Sequence, residues 1–239
     1  MKYHTKEKAF TLAEVLITLG IIGIVAAMTM PALIVSHKEK ETSVKLKKVY
    51  STLSQAYISA TNKYEAPENW NWAPAGSVSA SDMILDYFAE YLVVSKRCTN
   101  SPKCLPDVMY KRLNGTNHSN YHNEGTGSTL ILNDGTAIYL WVSGLCSAAS
   151  PDCGFIFVDI NGKTGPNQFG RDFFGFILSP TAIIPFGIKD HSHDFYTSCN
   201  RNTDSYLNGL GCTAWVIQNE NMDYLHCDDL SFEGKTKCK

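Results

Sequence analysis

The sequence predicts an α+β fold in which a long N-terminal helix packs on an antiparallel sheet and disulfides fasten the loops. Three observations predict it. Residues 8 to 35, KAFTLAEVLITLGIIGIVAAMTMPALIV, are apolar apart from Lys8 and Glu14, and apolar positions keep helical spacing from there to Ala60. Short strand-like runs bounded by turn residues fill most of 129–188. All eight cysteines follow the apolar stretch, as expected of an exported, oxidised domain.

The apolar stretch comes first. Val15 to Val35 is 21 residues without a charge, which at the helical rise reaches roughly the 30 Å of a bilayer core. Eleven of them are Val, Leu or Ile, each contributing about −0.3 to −0.6 kcal/mol to insertion, against roughly 3 kcal/mol that Glu14 costs at the bilayer centre. Insertion wins, so Glu14 needs a separate reason. Lys2, Lys6 and Lys8 outnumber Glu7 on the near flank, while Lys38 and Lys40 balance Glu39 and Glu41 on the far one. That asymmetry places the N-terminus in the cytoplasm and the large domain outside. A cleaved secretory signal fits less well, because Ala26-Ala27-Met28 is a poor cleavage site.

KAFTLAEVLITLGIIGIVAAMTMPAL resembles the prepilin-type cleavage and methylation segment of type IV pilins and type II secretion pseudopilins, with Phe10-Thr11-Leu12, Glu14 and Pro31 at the matching places. The resemblance implies a pilin-like fold and a structural subunit of a pilus or pseudopilus. It implies cleavage between Ala9 and Phe10 by a membrane prepilin peptidase, N-methylation of Phe10, and pairing of Glu14 with the amine of a neighbouring Phe10 during assembly. Implied partners are that peptidase and methyltransferase, copies of itself or related pilins, the inner-membrane assembly machinery and lipid. The implied organisation is a leader at 1–9, a transmembrane and assembly helix at 10–35, and an extracytoplasmic domain at 36–239. The subunit is held in the bacterial inner membrane before assembly and in a filament after it. Ala9 stands where the family usually has Gly, and Ala13 where it usually has a larger aliphatic residue. Physical chemistry separately favours the Glu14 pairing, since a carboxylate in apolar surroundings is costly unless a cation sits beside it. Gly20 and Gly23 weaken the helix or allow close packing, and Pro31 removes a backbone donor and favours a kink.

Beyond Ser36 the helix turns amphipathic: Leu46, Val49, Tyr50, Leu53, Ala56, Tyr57 and Ala60 recur at three- and four-residue steps, and no stop signal appears until Asn62. Residues 62–78 form a loop whose Trp70 and Trp72 either pack on their own domain or bind a carbohydrate or a partner. Ser79 with Asp82 predicts the start of a second helix carrying Ile84, Tyr87, Phe88, Tyr91 and Leu92. Residues 95–127 read as polar loop, in which Gly115 and the asparagines argue against a helix that would align His118 with His122 for a metal. Asn114-Gly115-Thr116 matches a glycosylation acceptor, a pattern common by chance. Asp134-Gly135 between two apolar runs predicts a hairpin with a two-residue turn. Phe155–Ile160 and Phe173–Leu178 are further strands, and Pro180 and Pro185 confine 179–188 to a sheet edge. His191, His193 and Asp194 read as solvated loop. Residues 212–227 read equally as strand or short helix.

Between the two inner strands, DINGKTGPNQFGRD sets Asp159, Asn161 and Asp172 among Gly162, Gly165 and Gly170. Two readings stand: hard oxygen ligands for Ca²⁺, which the resemblance to pseudopilins carrying a calcium loop supports in kind, or an ordinary Asp-x-Asn-Gly turn. The EF-hand spacing is absent.

No Cys-x-x-Cys pair occurs, which disfavours zinc. Sequential pairing is expected: Cys98 with Cys104, Cys146 with Cys153, Cys199 with Cys212, Cys227 with Cys238. The first two pairs bracket short loops holding Pro102 and Pro151; the last two rest on order alone. A net charge of −2 gives no basic field for nucleic acid. No GxSxG, HExxH or phosphate-loop pattern occurs, so no reaction is expected. The rival reading is an anchored binding or adhesion protein that does not polymerise.

Overall fold

The computed structural model describes residues 11–191 and 193–238. The chain divides into two compact units, 1–39 and 40–239. Helix α1, Leu12–Tyr64, is continuous in secondary structure through the boundary. In the first unit its apolar side chains from Leu12 to Val35 are exposed, as an environment of lipid or neighbouring helices requires. Pro31 lies inside the helix, and a Cβ added at Gly20 or Gly23 would meet nothing within 4 Å. Among the described residues this is the one helix long and apolar enough to cross a membrane.

In the second unit α1 buries Ser43, Leu46, Val49, Leu53, Ala56, Tyr57 and Ala60, the stripe that the three- and four-residue spacing defines. They pack on an antiparallel sheet of six strands in sequence order: β1 Val94–Cys98, β2 Ser128–Leu132, β3 Ala137–Val142, β4 Gly154–Asp159, β5 Phe173–Leu178 and β6 Ile183–Pro185. The fold is therefore α+β and pilin-like, a long N-terminal helix on an antiparallel sheet. Between α1 and β1 stands α2, Val78–Ala89, and after β6 come α3, Phe195–Ser198, and α4, Cys212–Asn219.

Three local readings need correction, and one left open is decided. Ser77, not Ser79, caps α2, its Oγ accepting from Ala80 N at 3.2 Å. Asp82 is thereby free to face inward, where it meets Arg97 and Ser128. Strand β1 falls inside 95–127, which read as loop: its Ser, Lys and Arg carry no alternation because they line an edge with a bulge between Val94 and Lys96. The β2–β3 connection is a three-residue turn in which Gly135 alone is left-handed, φ +88°, with Gly135 N donating to Leu132 O. Residues 212–219 resolve as helix.

Alternation along each strand divides the side chains between two faces. Ile138, Leu140, Val142, Ile156, Val158, Phe174, Phe176 and Leu178 meet α1 and α2 in the larger core. Tyr139, Phe157, Phe173 and Ile177 face the other way, where Tyr110, Tyr121, Phe169, Phe186 and Leu210 from the loops cover them. Gly175 is required there, since a Cβ would stand 2.8 Å from the Phe186 ring. The sheet is buried on both sides, by helices on one and by loops on the other.

Those loops are stapled by four bridges, Cys98–Cys104, Cys146–Cys153, Cys199–Cys212 and Cys227–Cys238. The largest sequence separation is 13 residues, for Cys199–Cys212, and both of its cysteines are buried against α4 and α3. Serine at both positions is expected to cost about 3 kcal/mol by release of the closed loop in the unfolded chain. The measurement is the urea midpoint of the double variant, and an unchanged midpoint would refute the estimate.

Candidate functional site

Ala9 and Phe10, expected to be the processing residues, lie outside the described residues. The described chain begins at Thr11, and Glu14 is tied back to it. Glu14 Oε2 accepts from Thr11 N and from Thr11 Oγ1, each at 2.8 Å, while Thr11 Oγ1 accepts from Glu14 N at 3.3 Å. This is a reciprocal capping box, Thr-x-x-Glu, at the start of α1. The sequence signal for it was present in Thr11-Leu12-Ala13-Glu14, but the assembly reading of Glu14 absorbed it. One carboxylate thus closes the helix end and places a negative charge beside the first described residue. Pro31 stands inside the same helix, beyond reach of this cap.

The second candidate is the β4–β5 loop. Asp159 ends β4, Asn161 opens the turn and Asp172 precedes β5. The structure brings the three together: Asn161 Nδ2 donates to Asp172 Oδ2 at 3.3 Å, and Asn161 N donates to Asp159 Oδ1 at 3.3 Å. Asp172 also accepts from the amides of Asn167 and Gln168, both at 2.7 Å, and Asp159 Oδ2 accepts from Tyr110 Oη at 2.6 Å. Internal donors therefore reach both carboxylates, and Asn161 spends its NH₂ on Asp172 and Gly165 O while its Oδ1 is buried without a hydrogen-bond partner among the described residues. As arranged, the three form the hydrogen-bonded turn; calcium would require these bonds to open. A melt with and without chelator separates the readings, because an ion bound only by the native state raises Tm. A hydrogen-bonded turn gives no shift.

Burial pushes the Asp159 carboxyl up to about 8, the charge of Asp172 adding to it and the Tyr110 hydrogen bond opposing it. Burial also raises Asp172, against its two backbone donors. The sign follows from proton uptake on folding. Asp159 holds its proton more tightly folded than unfolded, so its contribution to stability is complete below about pH 4 and is lost as pH rises through about 8. Stability of the folded domain is expected to fall between pH 5 and 8 by up to about 1.4 kcal/mol per unit, and Asp159→Asn to flatten that slope. Urea midpoints at four pH values measure it; a rise over this interval in the native chain would overturn the assignment.

Other candidates disperse. Trp70 and Trp72 are 6 % and 4 % exposed; their Nε1 groups donate to Tyr64 O and Pro67 O at 2.9 and 2.6 Å, and they belong to the larger core. His122 Nδ1 meets Leu105 O at 2.7 Å, whereas the His118 ring lies tilted against those of Tyr206 and Phe169, so the two do not converge. Asn114 Nδ2 donates to Thr203 O and Asp204, which occupies the glycan acceptor atom. His191 approaches Asp152 at 3.4 Å while Asp194 caps α3 through Thr197 N. Among the described residues no group of three or more His, Cys, Asp or Glu could hold a metal.

Residues 4–30 match a family model described as the prokaryotic N-terminal methylation motif, and residues 32–224 match one described as a family of unknown function, DUF6613. No curated protein and no solved structure matches the chain. The methylation motif is that of a prepilin-type signal, and together with the single apolar helix it fits a membrane-anchored, pilin-type protein.

Proposed function

The chain belongs to the DUF6613 family and carries a prepilin-type segment ahead of the matched domain, and from this combination we propose that it is a structural subunit of a type IV pilus or type II secretion pseudopilus. One observation carries the reading: the methylation motif over residues 4–30 leads into a helix whose only carboxylate before Val35 is Glu14. In this reading prepilin peptidase cuts between Ala9 and Phe10, Phe10 is N-methylated, and the 10–35 helix is first a membrane anchor and then the polymerisation element. The 36–239 domain stands outside the inner membrane, where its cysteines are oxidised. Its role is architectural, and no catalytic residue is assigned.

The non-polymerising alternative offered Trp70 and Trp72 as one instance of a binding surface, and the core position of both removes that instance. Intact-mass measurement of the protein from its own membranes, with and without the peptidase, tests the proposal. The expected product begins at methylated Phe10 and appears in sheared filaments. An uncut Met1 leader in cells that hold the peptidase would sink it.

A further inference from the structure

The sheet face turned away from α1 carries a groove of about 250 Å³. Its floor is built by register. Trp141 on β3 stands opposite Phe155 on β4, and Tyr139 opposite Phe157. The first pair stacks at 5.6 Å with planes 9° apart, the second at 5.8 Å and 30°. Trp141 and Phe155 are half-buried, and Tyr206 at the rim is 68 % exposed. Tyr139 and Phe157 are buried at the base, and Trp141 and Phe155 are the two floor rings that reach solvent.

The charge in the groove has one sign. Glu124 is its only ionised lining residue: Oε1 accepts from Ser119 Oγ, and Oε2 has no hydrogen-bond partner among the described residues. Burial lowers His118 to about 4, so the imidazole beside Tyr206 is neutral near pH 7. The nearest guanidinium, Arg112, lies 5.8 Å from the Tyr206 ring centre and is matched by Asp204 at 3.4 Å. Ring faces carry negative potential as well, so carboxylate and floor act together.

We propose that this groove binds a small organic cation of the quaternary-ammonium class, seated over Trp141 and Phe155 with Glu124 as counter-charge. An alkylated ammonium needs no hydrogen-bond acceptors, and the lining offers few. The Tyr139 hydroxyl is engaged with Thr126 at 3.2 Å, and that of Tyr121 faces His118 Nδ1 at 3.5 Å. A sugar ring would leave most of its hydroxyls unmet here. The volume lies below the roughly 300–1,000 Å³ of sites for drug-sized ligands, which suits a headgroup.

The test uses the full chain in an uncharged polyoxyethylene detergent and follows tryptophan fluorescence. Trp70, Trp72 and Trp215 are buried, so the response reports Trp141. Choline is compared with 3,3-dimethylbutanol, the neutral molecule of the same shape. Choline is expected to saturate the signal, with the neutral isostere at least about tenfold weaker and Glu124→Gln weakening choline at least about fivefold at unchanged Tm. Equal binding of the two isosteres would make the groove merely apolar and overturn the proposal, as would no saturation by choline or tighter binding of glucose. Should Glu124→Gln fail to fold, the isostere pair on the native chain decides alone.

Discussion

A chain carrying Glu14→Ala is expected to reach the membrane in normal amount and to be nearly absent from filaments. Insertion improves, because a carboxylate costing up to roughly 3 kcal/mol in the bilayer is gone. Assembly loses two things. The capping box with Thr11 disappears. In the proposed filament the methylated amine of a neighbouring Phe10 also loses its counter-charge, and an ion left unpaired in an apolar setting costs about 3–5 kcal/mol. Glu14→Gln separates these effects, since glutamine serves a capping box yet carries no charge. Both variants are expected to fall by more than about tenfold in the sheared-filament fraction, the charge term being the larger. If Glu14→Gln assembles like the native chain, Glu14 is a helix cap and the pairing idea fails.

The second large effect lies at Asp82. Its carboxylate, 6 % exposed, accepts from Arg97 Nη2 at 2.5 Å and from Ser128 Oγ. Arg97 also reaches Asp82 O, Asp86 and Thr129 O, so a single guanidinium joins α2, β1 and β2. Asp82→Ala leaves that guanidinium, 18 % exposed, with only the peripheral Asp86 carboxylate. The expected loss is about 3–5 kcal/mol, or roughly 6–20 °C in Tm for a domain of this size. By contrast Lys189–Glu233, with both side chains about 70 % exposed, should tolerate alanine at either end with little change in Tm. Circular dichroism melts compare the two, and a loss below about 1 kcal/mol at Asp82 would show that Asp86 suffices.

The Asp82 network also marks the limit of what was legible beforehand. Helix α1 could be read because one apolar stripe repeats at a fixed step, and β3 to β5 because their runs are bounded by turn residues. Strand β1 could not: Ser95, Lys96 and Arg97 look like loop until Asp82 and the β2 backbone give them partners tens of residues away. Helix α4 resisted for the opposite reason, since Cys212 to Val216 are all buried and a segment buried all round has no period. The aromatic groove was hidden because its walls come from the 118–124 loop, two strands and Tyr206. At the N-terminus the motif was legible, but the cap inside it belongs to the folded helix, where Glu14 turns back onto Thr11.

Order along the chain has a consequence for how the domain matures. Each bridge joins cysteines that are neighbours in sequence, and each strand pairs with the strand before it. A chain emerging N-terminus first presents every thiol's proper mate as the next one to appear, and the meander can zip in step with emergence because its pairings are local. Such a domain can be finished by an oxidase alone, with no isomerase to undo wrong links. The 105 pairings open to eight equivalent thiols collapse to one when oxidation keeps pace with the emerging chain.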